Sequence, residues 1–210
     1  MSSWSDERVP PEVLASETVF AGRVFDVDAA EVDLGVGGVV RREFVRHPGA
    51  VAVVALDEDD RVLLLRQYRV PVGAFLWEVP AGLLDVDGEP LLAAARRELA
   101  EEADLVAARW DVLADYCTTP GASTETLRVF LARELIAVPD GERHVREAEE
   151  LGMATRWVAL DDAVQAVLGG RVHNPSTVVG ILAAASSRAA GWGSLRPVDA
   201  AWFRQDVAPA

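Results

Sequence analysis

Lysine is absent. Apart from three histidines, all 20 basic residues are arginine, set against 34 aspartates and glutamates for a formal net charge of −14. That balance excludes a nucleic-acid polymer as partner, because phosphate backbones are held by clustered basic residues. It leaves room for a small anion bound together with a metal ion. The use of arginine alone suits bidentate phosphate recognition, but it reads as a genomic bias and is given no functional weight. Cysteine is nearly absent too: Cys117 stands alone, so there is no internal disulfide, and its apolar flanks mark it as core and not as a nucleophile. A reducing compartment follows. The first twenty residues have neither a basic nor an apolar stretch of leader type, and no later run is long enough to span a bilayer. The expectation is a cytoplasmic protein with no membrane partner.

What is present is a 210-residue chain with 50% hydrophobic residues, ample for a packed core. Residues 1–17 are polar and punctuated by proline, and read as an arm. From Thr18 to His47 the pattern is two or three antiparallel strands around a Gly-Val-Gly-Gly turn, a unit too small to stand alone. It must lie on the main domain or on another subunit. AVAVVAL and RVLLLRQYR then flank the acidic turn Asp57 to Asp60, which predicts a β-hairpin. ARWDVLADYCTT and ETLRVFLAREL read as two more strands, joined by a loop, TPGAST. After an acidic loop from Pro139 to Gly152, MATRWVAL resumes a strand. Leu160 to Leu168 and Pro175 to Ala190 are helices, the second opened by Asn174. The main domain is placed at 48–190, with 191–210 as an aperiodic tail whose Trp192, Trp202 and Phe203 pack locally or on a partner.

The chain is organised around Gly82 to Leu105, GLLDVDGEPLLAAARRELAEEADL. After the turn at Asp87-Gly88, Leu91, Leu92, Ala95, Leu99 and Ala103 recur at helical spacing and form a core face. Glu98, Glu101 and Glu102 fall three and four apart outside that stripe, so they are neighbours on the helix surface. Such a run is ordinarily a solvated face, each like-charge pair costing only about 0.2–0.5 kcal/mol. Hard carboxylate oxygens crowded together are also what Mg²⁺ prefers.

Gly82, Glu89, Arg97, Glu98, Leu99, Glu101, Glu102 and Leu105 resemble the Nudix box, G-x5-E-x7-R-E-U-x-E-E-x-G-U, the signature of Nudix hydrolases. Two positions depart from it: one extra residue separates Gly82 from Glu89, and Asp104 replaces the last glycine. Asp tolerates the left-handed conformation that a glycine supplies after a helix. Pro120, fifteen residues after Leu105, with PGASTE, HPGAVAVVAL and RQYR, resembles the ADP-ribose pyrophosphatases of that family.

The resemblance implies a Nudix-type α/β/α sandwich with a mixed sheet, a small N-terminal antiparallel β domain, and hydrolysis of ADP-ribose to AMP and ribose 5-phosphate. Alternatives are another nucleoside diphosphate sugar, a flavin or coenzyme A diphosphate, or a catalytically silent ADP-ribose-binding module. By the same resemblance, Glu98, Glu102 and the Ala81 carbonyl hold Mg²⁺, with Mn²⁺ or another divalent cation as substitutes. Glu101 shares an ion or a ligating water, Arg97 orients the glutamates, and Glu89 is structural. Arg69 contacts phosphate; Pro120 and Gly121 belong to the substrate loop; Glu125 contacts the terminal ribose. Phe25 and Arg42 hold the adenine, reaching the opposite subunit of a domain-swapped homodimer. Glutamates that hold metal are poor bases, so the base is placed in the acidic loop, where the resemblance puts the subfamily's loop glutamate at Glu150 first and Glu149 second, with Glu147 the third carboxylate there. His47, His144 and His173 have no metal-like spacing and receive no role.

Overall fold

The structure, a computed structural model, describes residues 4–145 and 153–203. The chain forms two compact units. Among the described residues, one comprises 4–48 together with Thr119–Glu125; the other holds Gly49–Thr118 and residues 126–203.

The first unit is a three-stranded antiparallel sheet, β1 (Glu12–Ala21), β2 (Asp26–Asp33) and β3 (Val39–Arg46), in that order. The first strand begins at Glu12, inside the stretch read as an arm, because the chain there pairs with β2 out to Asp33. Arg46 ties β3 to β2 through Asp28 (2.7 Å) and Asp26 (2.6 Å), and Thr18 donates a further bond to Asp28 (2.8 Å). The Thr119–Glu125 loop extends this unit beside β3. Val45 donates to the Ala122 carbonyl (2.9 Å), and Thr124 donates back to the Val45 carbonyl (2.9 Å).

The second unit is built on β4 (Ala50–Ala55), whose six residues are all buried. Such a run without alternation is what a strand covered on both faces requires. Ala52 and Val54 enter one cluster with Leu160, Ala163, Ile181 and Ala184; Val51 and Val53 enter the other with Ala94, Ala95 and Leu99. Helix α1 (Leu91–Ala103) therefore covers one face, and α2 (Leu160–Leu168) and α3 (Pro175–Ala189) the other. The four-stranded sheet runs β7-β4-β9-β8, with β7 at Ala81–Leu83, β8 at Leu105–Cys117 and β9 at Thr126–Ala137. β4 and β9 are parallel and the other neighbours antiparallel, so the sheet is mixed.

The hairpin expected between AVAVVAL and RVLLLRQYR does not form. β4 spends both edges on β7 and β9, so β5 (Arg61–Arg69) leaves after a single bridge, Leu56 with Val62. It becomes the centre of a second sheet, β10-β5-β6, with β6 at Ala74–Glu78 and β10 at Ala154–Ala159. The acidic turn survives because Asp57 accepts from the Asp59 and Arg61 amides (3.0 and 2.8 Å).

Of the tail set apart at 191–210, the described residues, up to 203, pack as part of this unit. Trp192 and Leu195 join one core cluster and Val198 the other, while Arg196 and Val112 exchange backbone hydrogen bonds. The buried Arg128 takes Asp115 bidentately (2.8 and 2.9 Å) and donates to the carbonyls of Ala200 and Ala201. Among the described residues no helix is long and apolar enough to cross a membrane.

Candidate active site

β7 is short, but its antiparallel register with β4 places Ala81 opposite Ala52 and Gly82 opposite Val51, alongside α1. The approach is fixed from behind by α3. Asn174 caps that helix through the Thr177 amide (3.0 Å), and the Thr177 hydroxyl accepts from the Val79 amide (3.0 Å). Gly82 is needed for space. A Cβ built there would lie 1.9 Å from the Cδ and Oε1 of Glu98, so no other residue admits that carboxylate beside the strand.

At the far end of α1, Asp104 sits at φ 54°, ψ 36°, and its N–H returns to the Ala100 carbonyl (3.1 Å). The missing glycine is thus replaced by a residue that reaches the left-handed region. The helix continues at once into β8.

Arg97 is the hub. Its Nε and Nη2 bind Glu89 bidentately (3.1 and 3.0 Å), and its Nη1 reaches Glu98 (2.6 Å) and Glu101 (3.3 Å). One guanidinium therefore orders three carboxylates by charge-assisted bonds. The bidentate bond from Arg97 holds the Glu89 carboxyl below the usual range, and in return Glu89 keeps Arg97 firmly charged. Glu98 responds the other way: burial pushes its carboxyl up, and this outweighs the downward pull of Arg97. A carboxylate removed from water with one cation beside it still gains from a second positive charge. Glu102 accepts from the Ala81 amide (2.9 Å), so its carboxylate lies at the backbone that carries the expected carbonyl ligand.

These donors fit a hard divalent cation in kind, being carboxylate oxygens on successive turns of one helix facing a strand. Among the described residues, however, no three carboxylate, imidazole or thiol side chains converge as a ready-made cage. Each carboxylate is instead held by a protein donor, Glu98 and Glu101 by Arg97 and Glu102 by Ala81.

Arg69, expected as a phosphate contact, forms a bidentate pair with Glu78 (2.9 and 2.6 Å). The Glu78 side chain is only 4% exposed and that of Arg69 41%. The sequence reading passed over Glu78; its signal was a lone charge within the apolar FLWEV.

In the first unit, Phe25 precedes β2, its ring 6.5 Å from that of Phe20, and Arg42 lies opposite Ala30 on β3 with its guanidinium on the Arg41 carbonyl. Pro120 and Gly121 form an exposed turn closed by Ala122 and Ser123 on the Thr119 carbonyl. Glu125 lies 3.6 Å from His47 Nδ1, a contact that no sequence spacing suggests. Phe25, Arg42, Pro120, Gly121 and Glu125 thus belong to one compact unit; Ala81, Arg69, Arg97, Glu98, Glu101 and Glu102 belong to the other. Glu147, Glu149 and Glu150 lie outside the described residues.

The NUDIX domain model matches residues 46–177. ADP-ribose pyrophosphatase of Mycobacterium tuberculosis is 41% identical over 197 residues, covering 94% of this chain and 93% of that protein. ADP-ribose pyrophosphatase of Bacillus subtilis is 35% identical over 170 residues, covering 81% and 90%. The fold is similar to a solved structure described as the crystal structure of ADP compounds hydrolase, with a TM-score of 0.68 at 24% identity, covering 90% of this chain and 99% of that one. With Gly82 opening space for Glu98 and Arg97 gathering three carboxylates in the segment that the domain model spans, the chain belongs to the Nudix family.

Proposed function

We propose that this chain is a magnesium-dependent ADP-ribose pyrophosphatase, adding water across the pyrophosphate to give AMP and ribose 5-phosphate. The observation that carries the reading is the Arg97 clamp on Glu89, Glu98 and Glu101 beside Gly82, and the two bacterial relatives named for this activity support the substrate. Nudix hydrolases generally use divalent cations.

Glu98, Glu101, Glu102 and the Ala81 carbonyl hold Mg²⁺, and Mn²⁺ is the expected substitute. When bound, the ion supplies neutralisation of charge on the phosphate oxygens and an acidified water. Arg97 holds Glu98 and Glu101 in place by hydrogen bonds, while Gly82 leaves Glu98 room to reorient. Arg69, preset by Glu78, binds a substrate phosphate through the part of its guanidinium that faces solvent. Glu150, with Glu149 as second choice, accepts the proton of the attacking water.

The adenine falls to Phe25 and Arg42 of the N-terminal strands, working across a homodimer, with the loop of Pro120 and Gly121 and the carboxylate of Glu125 on the terminal ribose. Support for the dimer is the exposure of Val13, Leu14, Val19 and Phe20 on β1, at 48–55%. The test is AMP release from ADP-ribose with millimolar Mg²⁺. Stoichiometric AMP and ribose 5-phosphate, abolished by EDTA, are expected; no AMP at any Mg²⁺ concentration overturns the reading.

A further inference from the structure

The β10-β5-β6 sheet has two chemically different faces. Side chains alternate along a strand, so Leu63, Leu65 and Arg69 share one face of β5 while Leu64 and Arg66 share the other. Leu63 belongs to the core cluster under α1, and Leu65 is in register with Glu78, so the Arg69–Glu78 pair lies on that side. Leu64 belongs to the opposite cluster, under α2 and α3. Trp77 is in register with Arg66, and Arg156 with Leu64, so both lie on the α2 side.

A cavity of about 470 Å³ opens there, between the sheet, α2 and the segment following it. Trp77, Arg156, Asp162, Gln165 and Arg171 supply its polar and aromatic lining. The Arg156 guanidinium stands over the Trp77 ring at 5.7 Å. Neither arginine forms an ion pair with a described residue, and Asp162, in the same cavity, also has none. Elsewhere in the chain arginines are commonly matched, as Arg69, Arg97, Arg128 and Arg188 are.

We propose that this cavity is a second ligand site, separate from the hydrolytic box, for a nucleoside monophosphate. The volume lies within the range of small-molecule pockets. Two planar guanidinium groups that form no ion pair with a described carboxylate match a phosphate. The indole offers a face for a heteroaromatic ring, and Asp162 and Gln165 accept from ribose hydroxyls or an exocyclic amine. A bare phosphate or sugar phosphate leaves Trp77 unused, and an uncharged nucleoside leaves both arginines unused. A polymer is disfavoured by the net charge of −14.

The experiment is calorimetric titration of AMP in EDTA on the Arg69→Ala full-length protein, which removes the phosphate contact proposed for the hydrolytic side. Saturable binding is expected. It should weaken at least tenfold on adding either Arg156→Gln or Arg171→Gln, and severalfold with Trp77→Phe, which keeps an aromatic ring in the core contact. Adenosine and ribose 5-phosphate should each bind at least tenfold more weakly than AMP. In an otherwise wild-type background Arg156→Gln should leave ADP-ribose turnover unchanged. No saturable AMP binding, or binding indifferent to both Arg156→Gln and Arg171→Gln, overturns the site; equal affinity for AMP and ribose 5-phosphate overturns its assignment to a nucleotide. Circular dichroism of each variant checks the fold, since both arginines are at the surface.

Discussion

Every residue of β4 is buried and every residue of β1 is exposed, although both are strands rich in apolar side chains. The difference shows where this chain completes its own burial and where it does not. β4 has α1 on one side and α2 with α3 on the other, and paired strands on both edges. β1 carries Val13, Leu14, Val19 and Phe20 at about half exposure. Covering the remainder contributes about 1 kcal/mol for each, or about 4 kcal/mol in all, which only reaches the lower end of the 4–15 kcal/mol cost of association. Any partner that settles there must therefore also cover apolar groups beyond β1, and Phe25, Leu34 and Val39 stand 44–57% exposed on the same unit. The box residues belong to the unit that encloses β4, whereas the proposed adenine contacts belong to the unfinished one.

The sharpest break between the two units is Glu102→Gln. It keeps the volume and the hydrogen bond from Ala81 but removes a charge from the proposed metal set, so activity should fall by about three orders of magnitude while melting temperature and oligomeric state stay as in the wild type. Near-normal turnover at limiting Mg²⁺ would return the helix to a solvated acidic face.

Gly82→Ala tests the same unit through space alone. The added methyl collides with the Glu98 carboxylate, and displacing this proposed ligand should lower kcat by about a hundredfold with a smaller effect on stability. If kcat/KM is unchanged and Mg²⁺ activation keeps its midpoint, Glu98 does not act from the position next to Gly82.

On the unfinished side, Val19→Asp with Phe20→Asp should dissociate the proposed dimer at micromolar concentration and raise KM for ADP-ribose about tenfold, since the adenine contacts are lost but the box is intact. Sedimentation and kinetics on the same sample decide the matter. A variant that is monomeric and fully active would separate the N-terminal strands from catalysis.

What the sequence made legible follows the same division. The box could be read because the residues that resemble the Nudix signature all lie within Gly82–Leu105, with Arg97 next to Glu98 and four before Glu101, and Asp104 is a residue that tolerates φ 54°. The α/β sandwich followed from β4 and the two late helices, whose apolar patterns are strong. The parting of β4 from β5 was hidden because it depends on β9 claiming an edge of β4, more than seventy residues later. The Arg69–Glu78 pair is not legible because it depends on the β5–β6 register, and of the two expectations for the tail the local one could not be chosen because carbonyls that satisfy Arg128 leave no periodic trace. The alternate faces of the second sheet, and hence the cavity beside Trp77, needed the register itself.

The smallest effect concerns how the exposed sheet keeps its own form. Asp28 accepts from Arg46 Nε and Thr18 Oγ1, and those bonds, Arg46 first, hold its carboxyl below the ordinary value of 3.8 against the opposing effect of burial. A depressed folded-state value means that the ionised form is favoured by folding, so this stabilisation is fully present above about pH 4. It is lost as pH falls through the lower, folded-state value, where the carboxyl protonates in the native sheet as well. Asp28→Asn should therefore destabilise the N-terminal unit by about 1 kcal/mol at pH 6, a modest figure because Arg46 is partly solvated and keeps Asp26. Hydrogen exchange of the β2 and β3 amides reads this locally. Faster exchange in the variant at pH 6, with the two proteins converging toward pH 3, is the expected result; a difference that persists unchanged at pH 3 would show that Asp28 acts by shape and not by charge.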